Sequence, residues 1–308
     1  MAEEAAEAQR AAAAAPPSAR WTELVQCEER QEAARRCGQA VETLLRAAPS
    51  AVVSAATEQQ GDRLLAAMGK GLQQLEMFGD EALLVYVRRK FSERALLLFT
   101  ALREAARAPD VAAALRRLEL CVSVGAGPCP CLFGYALAEE LVLRPGRAGA
   151  AGPPRARLEA WDYAASAWEP WVRLVDDQLL GGGRLSLRAC DVAEALERQA
   201  AALDEPMGRA GLYLISYVLT ETRGRWEGFV AALFERAAPG ALFLCAEPTD
   251  WQLKRLVEVL RPERLATSPM WLDVRTTAAP PSVVLLTKAR ADAAAGGGVS
   301  DRKRSRET

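Results

Sequence analysis

Hydrophobic periodicity changes abruptly near the middle of the chain. An apolar run rich in β-branched residues, from Leu118 to Val124, stops at Gly125-Ala126-Gly127-Pro128, and apolar positions at helical spacing resume from Leu132 to Leu143. This predicts strand, tight turn, helix. The alternation then repeats. Ala156–Trp161 reads as a second strand ending at Asp162-Tyr163, and Arg184–Cys190 as a third ending at Asp191-Val192. Ala210–Leu219, the most apolar stretch, reads as a buried parallel strand, followed by a polar loop from Thr220 to Arg225. Ala241–Ala246 runs as a fifth strand into Glu247, and Trp271–Arg275 with Ser282–Lys288 makes a closing pair. Helices are predicted between them: a Trp-rich one capped by Ser166-x-x-Glu169, then Ala193–Leu203, Trp226–Ala237 and Trp251–Leu260.

Upstream, from Trp21 to Arg116, the period is helical throughout. Leu64, Leu65, Met68, Leu72 and Leu75 recur at three- and four-residue spacing, as do Leu83, Val87, Phe91, Ala95 and Leu98. Four or five helices are expected. The division that follows is a disordered Ala-, Glu- and Pro-rich start (1–18), a helical region (19–117), an α/β domain (118–290) and a disordered basic tail (291–308). Arg144–Arg155, rich in Gly, Pro and Ala, is expected to be a surface insertion.

Composition narrows the chemistry. A net charge of −1 over 308 residues offers no global basic field for nucleic acid. No apolar run approaches the roughly 20 residues of a membrane span, and the acidic, Ala-rich start is unlike a secretory signal. An intracellular protein is expected, with no membrane partner. Seven cysteines, an odd number placed in apparent core strands, argue for reduced thiols. The chain has no histidine, which removes the commonest general base and most zinc sites. Cys129-Pro130-Cys131 has poor spacing for zinc, so no metal is expected, although a thiol at a helix start can be reactive. A reaction that needs little acid–base help fits a chain without histidine better.

The glycine loop carries the candidate site. Gly125 and Gly127 fit the first two positions of a dinucleotide fingerprint, but Pro130 stands where the third glycine belongs, and no Lys-Ser or Lys-Thr follows to make a P-loop. Asp162, ending the second strand, stands where nucleotide-binding α/β folds place a ribose-binding acid. The other reading of Asp162 is a helix cap, a role that Ser166 and Glu169 already fill. Arg88-Arg89-Lys90 and Arg94 read either as a solvated helix face or as a phosphate-contacting patch. Trp161, Trp168 and Trp171 read as core.

Val122-Ser123-Val124-Gly125-Ala126-Gly127-Pro128, Asp162-Tyr163 with the tryptophans behind it, and Ile215-Ser216-Tyr217-Val218-Leu219-Thr220-Glu221 resemble the class I S-adenosylmethionine-dependent methyltransferases. They look most like the yeast-type 25S rRNA uridine-N3 group. The resemblance spans about 118–290 and implies a Rossmann-like seven-stranded methyltransferase sheet preceded by an all-helical region. It implies S-adenosylmethionine as cofactor, cradled by Gly125, Ala126 and Gly127, with Asp162 and Tyr163 at the ribose and Asp191 and Val192 framing adenine. Asp191 alone reads equally well as a helix cap. Ser216, Tyr217 and Glu221 would line the acceptor side as the catalytic group, Glu221 taking a proton and Tyr217 stacking on a flat acceptor. A base in ribosomal RNA and a nuclear or nucleolar setting are implied, with a cytoplasmic one as the other possibility. One departure stands out: Ser123 replaces the acid that many class I enzymes carry two residues before the first glycine. Two other readings stay open, a small-molecule N- or O-methyltransferase with a helical lid and a non-catalytic methyltransferase-like scaffold. The tail Arg302-Lys303-Arg304-Ser305-Arg306 reads as a nuclear-localisation signal or a solubilising end. The oligomeric state is not legible.

Overall fold

A computed structural model describes residues 17–48, 59, 61–63, 66, 80–146, 155–274 and 281–289. The expectations for 1–16, for Leu64, Leu65, Met68, Leu72 and Leu75, for the middle of the 144–155 insertion, and for the basic tail lie outside these residues. Among the described residues no helix is long and apolar enough to cross a membrane.

Two long helices, α1 (Pro17–Ala47) and α2 (Asp80–Ala105), and a short one, α3 (Pro109–Arg116), precede the sheet. α1 begins within the stretch expected to be disordered, taking in Pro17 and Ser18. The strands are β1 (Leu120–Val124), β2 (Arg157–Asp162), β3 (Leu185–Ala189), β4 (Leu212–Ser216), β5 (Leu242–Glu247), β6 (Met270–Leu272) and β7 (Ser282–Thr287). They form one seven-stranded sheet in the order β3-β2-β1-β4-β5-β7-β6. β1 to β5 run parallel and β7 pairs antiparallel with both β5 and β6. This is a Rossmann-like seven-stranded sheet with an antiparallel edge. The intervening helices are α4 (Pro130–Ala138, continued by a π-helical turn at Glu139–Leu143), α5 (Ala165–Val175), α6 (Ala200–Arg209), α7 (Val218–Thr222), α8 (Glu227–Arg236) and α9 (Asp250–Leu260).

The central strands β1, β4 and β5 are buried at every position because helices cover both faces. In β4, Leu212 and Leu214 join one core while Tyr213 and Ile215 join the other. The first core is continuous with α1 and α2, through Cys37, Leu44, Phe91 and Leu98, and with Trp168 and Trp171 of α5. The second is filled by Trp226, Phe229, Leu233, Leu253 and Leu256 of α8, α9 and the turn before α8, with Trp161 beside them. Thus the helical region shares its core with the sheet. Close approach of α2 to α4 depends on Gly134, where a Cβ would lie 2.4 Å from the Ala95 carbonyl oxygen.

Three local expectations give way. The run Ala210–Leu219 is strand only over Leu212–Ser216: Tyr217 turns into the left-handed region at φ 66° and α7 begins at once, so the expected loop starts inside a helix. An apolar run cannot by itself separate a buried strand from a buried helix turn. The helix expected at Ala193–Leu203 is a 3₁₀ turn at Leu196–Arg198 followed by α6, because Gln199 bonds back to both the N–H and the carbonyl of Asp191. Ser166 and Glu169 do not cap α5, which starts at Ala165 without a side-chain cap. Instead Asp162 holds the Ala164 N–H.

Candidate functional site

The carboxyl ends of four adjacent parallel strands meet at one edge. Register sets Ala189 beside Asp162, Trp161 beside Val124, and Val124 beside Ile215. The loop leaving β1 turns through three left-handed residues, Gly125 (φ 65°), Gly127 (φ 50°) and Cys129 (φ 63°). Glycine is required twice for different reasons. A Cβ on Gly125 would meet Val218 Cγ2 at 2.3 Å, whereas one on Gly127 would touch only the Trp168 ring, at 3.9 Å, and otherwise fill open space.

Asp162 fastens this loop to the next one. Its Oδ2 accepts the Gly127 N–H at 2.8 Å and its Oδ1 accepts the Ala164 N–H at 2.9 Å, while the Trp161 carbonyl accepts the Ala126 N–H at 3.1 Å. The side chain is 5% exposed. Burial pushes its carboxyl up to about 6, against the pull of those two N–H donors and with a further push from the Asp191 charge. Asp162 therefore caps one turn and ties it to the glycine loop. Tyr163, next in the chain, is exposed.

Asp191 lies within electrostatic reach of Asp162 across the ends of β2 and β3. Its Oδ1 accepts the Ala193 N–H at 2.8 Å, so it caps its own turn, as one of the two sequence readings has it. Val192 is buried in the second core.

On the other side of the glycine loop, β4 ends in Ser216, 4% exposed, whose hydroxyl lies against the Cys131 thiol and pulls it down. The Tyr217 N–H donates to the Ala246 carbonyl at 2.8 Å, locking its left-handed turn. The Tyr217 ring is faced by Arg94 of α2, whose guanidinium carbon sits 4.4 Å from the ring centroid and 5.5 Å from that of Tyr86. Arg94 Nη2 lies 3.5 Å from Glu221 Oε1, the side chains being 13% and 26% exposed. Burial pushes Glu221 up to about 7, with Arg94 pulling it down and Asp162 pushing it up. Tyr86 in turn meets Trp168 at 5.5 Å between ring centroids, and Trp168 lies beneath Gly127. One chain of contacts thus joins α2, the glycine loop and the β4 turn.

Arg94, Tyr86 and Glu247 belong to this site without having been singled out for it by the sequence. Arg88 and Arg89 are exposed and Lys90 pairs with Glu93 at 2.9 Å, but Arg94 is neither solvated nor part of that surface. The signal was available: Arg94 stands three residues after Phe91 and four before Leu98, at the border of the apolar stripe. Glu247, fully buried at the end of β5, accepts the N–H groups of Leu219 (2.8 Å) and Thr220 (3.1 Å) and the Thr220 hydroxyl (2.7 Å), anchoring α7. Burial pushes its carboxyl up to about 7 against those three donors. Cys129 and Cys131 are both buried, and burial raises both thiols, Cys131 to about 11 although Arg94 pulls it down. Burial thus favours the protonated thiol, which is not the nucleophilic form. Among the described residues no group of three or more His, Cys, Asp and Glu is placed to hold a metal ion.

No protein-family model matches the chain, and no curated protein sequence matches it. Solved structures do. An rRNA methylase from Streptococcus thermophilus is 13% identical with a TM-score of 0.39, over 58% of this chain and 94% of that one. The N-methyltransferase NodS from Bradyrhizobium japonicum, in complex with S-adenosyl-L-homocysteine, is 14% identical with a TM-score of 0.41, over 76% and 99%. An O-methyltransferase family protein from Burkholderia thailandensis is 12% identical with a TM-score of 0.41, over 76% and 72%. These are likenesses of fold.

Proposed function

We propose that this chain is an S-adenosylmethionine-dependent methyltransferase acting on a base in ribosomal RNA. The observation that carries the reading is the clamp of the Gly125–Gly127 loop by Asp162 at the carboxyl edge of the sheet, where ligands of open α/β sheets bind. The residues present fit the cofactor: a backbone cradle open at Gly127, with the buried Asp162 carboxylate holding its N–H. Bound there, the cofactor supplies an activated methyl group on a sulfonium.

Gly125, Ala126 and Gly127 would hold the methionine portion, Asp162 and Tyr163 the ribose, and Asp191 with Val192 the adenine. Each Asp162 oxygen already accepts one N–H and retains a second lone pair for a ribose hydroxyl. The carboxylates at Asp162 and Glu221 favour a cationic ligand, since a positive charge replaces the solvation they lose on burial. What remains for the protein is alignment of acceptor and methyl, and exclusion of water. Tyr217 stands at that side, with one ring face taken by Arg94.

The RNA acceptor is supported by the motifs shared with the uridine-N3 group and by flat exposed rings on the same edge, Tyr163 after β2 and Trp251, 59% exposed, after β5. Such rings stack on unpaired bases. A nuclear or nucleolar setting follows from that acceptor and from the basic tail. The test is transfer of labelled methyl groups from S-adenosylmethionine to total RNA and, in parallel, to a metabolite extract. Label in ribosomal RNA supports the reading; label only in metabolites replaces the acceptor; no label anywhere and no heat of cofactor binding leaves the scaffold reading in its place.

A further inference from the structure

Arg94 is an unusual charge for its surroundings. A guanidinium carries five N–H donors. Among the described residues its polar contact is the single 3.5 Å approach of Nη2 to Glu221 Oε1, in a side chain only 13% exposed. Charge-assisted hydrogen bonds run at about 2.7–2.9 Å, so the pair is close but not closed. Glu221 has the same deficit: its carboxylate is mostly buried and meets Arg94 alone among hydrogen-bond donors of the described residues. Buried charges left with unused donors and acceptors are costly unless a ligand completes them.

The guanidinium is also held in place. Tyr217 and Tyr86 flank it from two different elements, and Tyr86 rests on Trp168 beneath Gly127. The Arg94 charge acts on Cys131, in the first turn of α4 just beyond the glycine loop. It acts on Glu221, as does the Asp162 charge from the other side of the glycine loop. A held cation and a carboxyl group beside it, both incompletely bonded and adjoining a backbone cradle, make a receptor for a zwitterion, whose ammonium would favour the ionised form of Glu221.

We infer that Arg94 and Glu221 bind the amino-acid end of the adenosyl cofactor, Arg94 taking its α-carboxylate and Glu221 its α-ammonium. This rests on the methyltransferase reading and deepens it. It also answers the departure at Ser123: the acid missing from the end of β1 is supplied from α7, on the neighbouring strand's side of the loop. Glu221 then belongs to cofactor binding, leaving Tyr217 on the acceptor side. The helical region, which delivers Arg94, becomes part of the cofactor site.

The test is calorimetric titration of the full chain with S-adenosyl-L-homocysteine and with 5′-methylthioadenosine, which keeps the adenosine and thioether but lacks the amino-acid end. Wild type should bind the homocysteine compound more tightly. Arg94→Met should weaken it about 10- to 100-fold, the size of a lost charged hydrogen-bond pair, and leave methylthioadenosine unchanged. Glu221→Gln should show the same selectivity, and Arg94→Lys should recover part of the loss. Should Arg94→Met fail to fold, the other two variants make the same comparison. Equal wild-type affinity for the two compounds, unaltered binding by Arg94→Met, or a parallel loss of both ligands overturns the assignment while the methyltransferase reading stands. A wild-type chain that binds neither compound removes both.

Discussion

Replacing Asp162 by Asn removes a charge whose cost the fold bears at neutral pH, and the size of that cost is measurable. The carboxyl titrates near 3.8 when free and near 6 in the folded chain, burial being the cause. Because the folded value is the higher, its contribution to stability is fully present below about pH 4 and is lost as pH rises through about 6. The full difference is about 3 kcal/mol, roughly half of it falling between pH 5 and pH 8. Asparagine keeps one acceptor but turns an amide NH₂ toward the second donor, leaving either the Gly127 or the Ala164 N–H buried without a partner, a loss of about 1–3 kcal/mol. Asp162→Asn should therefore be less stable than wild type at pH 5, with the gap narrowing by about 1.5 kcal/mol at pH 8. Urea unfolding of both chains, followed by tryptophan fluorescence at several pH values, gives the gap directly. Glu247, whose carboxyl burial also raises, acts alike in both chains and cancels in the difference; Glu221, which the Asp162 charge pushes up, does not, so both chains are compared in a Glu221→Gln background. A gap that stays constant or widens as pH rises would mean that the two N–H donors outweigh burial, and the argument from burial would be wrong.

Other outcomes follow from the same geometry. Gly125→Ala should cost clearly more stability than Gly127→Ala, since both force alanine to a positive φ, worth about 1–2 kcal/mol, but only the first drives a Cβ into Val218; equal losses by urea unfolding would refute the distinction. Gly134→Ala should destabilise by about 3 kcal/mol and also weaken S-adenosyl-L-homocysteine, because the new Cβ pushes α2, and Arg94 with it, off α4. Adding Ala95→Gly should not rescue it, as the collision is with a backbone carbonyl; rescue would show the clash to lie elsewhere. Native protein treated with iodoacetamide at neutral pH should show no labelling at Cys37, Cys121, Cys129, Cys131, Cys190 or Cys245, all of which are buried, and prompt modification of Cys129 or Cys131 by mass spectrometry would contradict the raised thiols.

The sheet is legible in the sequence because its parallel strands are short and four of the five are ended by a residue with a job to do. β1 ends at Gly125, β2 at Asp162, β4 where Tyr217 leaves the extended region, and β5 at Glu247. Where reading failed, a tertiary bond had replaced a local rule. The Ala210–Leu219 run has no internal mark at Ser216, yet Glu247, from a strand about thirty residues on, draws the N–H groups of Leu219 and Thr220 into a helical turn. Likewise Ser166 and Glu169 make a good capping pattern on paper, but Asp162 reaches the Ala164 N–H first. Capping boxes are local, and the carboxylate that defeats this one is held by the glycine loop.

The site is harder to read for a reason that Arg94 makes plain. Its placement depends on α2 lying against α4, which depends on Gly134 having no side chain, and neither fact can be seen in the spacing around Arg94 itself. A basic residue among Arg88, Arg89 and Lys90 looks solvated, since three of the four do lie at the surface or pair with a neighbour along the helix. The fourth is distinguished only by the ring of Tyr217, more than a hundred residues away, which can face it because the turn after β4 is left-handed. Motif reading recovers residues whose roles are written at strand ends. It misses those contributed by a packed neighbour, and here the neighbour supplies the cation while the sheet supplies the anions. A methyltransferase reading built from the glycine loop alone therefore lacks a partner for the cofactor's carboxylate, and the helical region is where that partner is found.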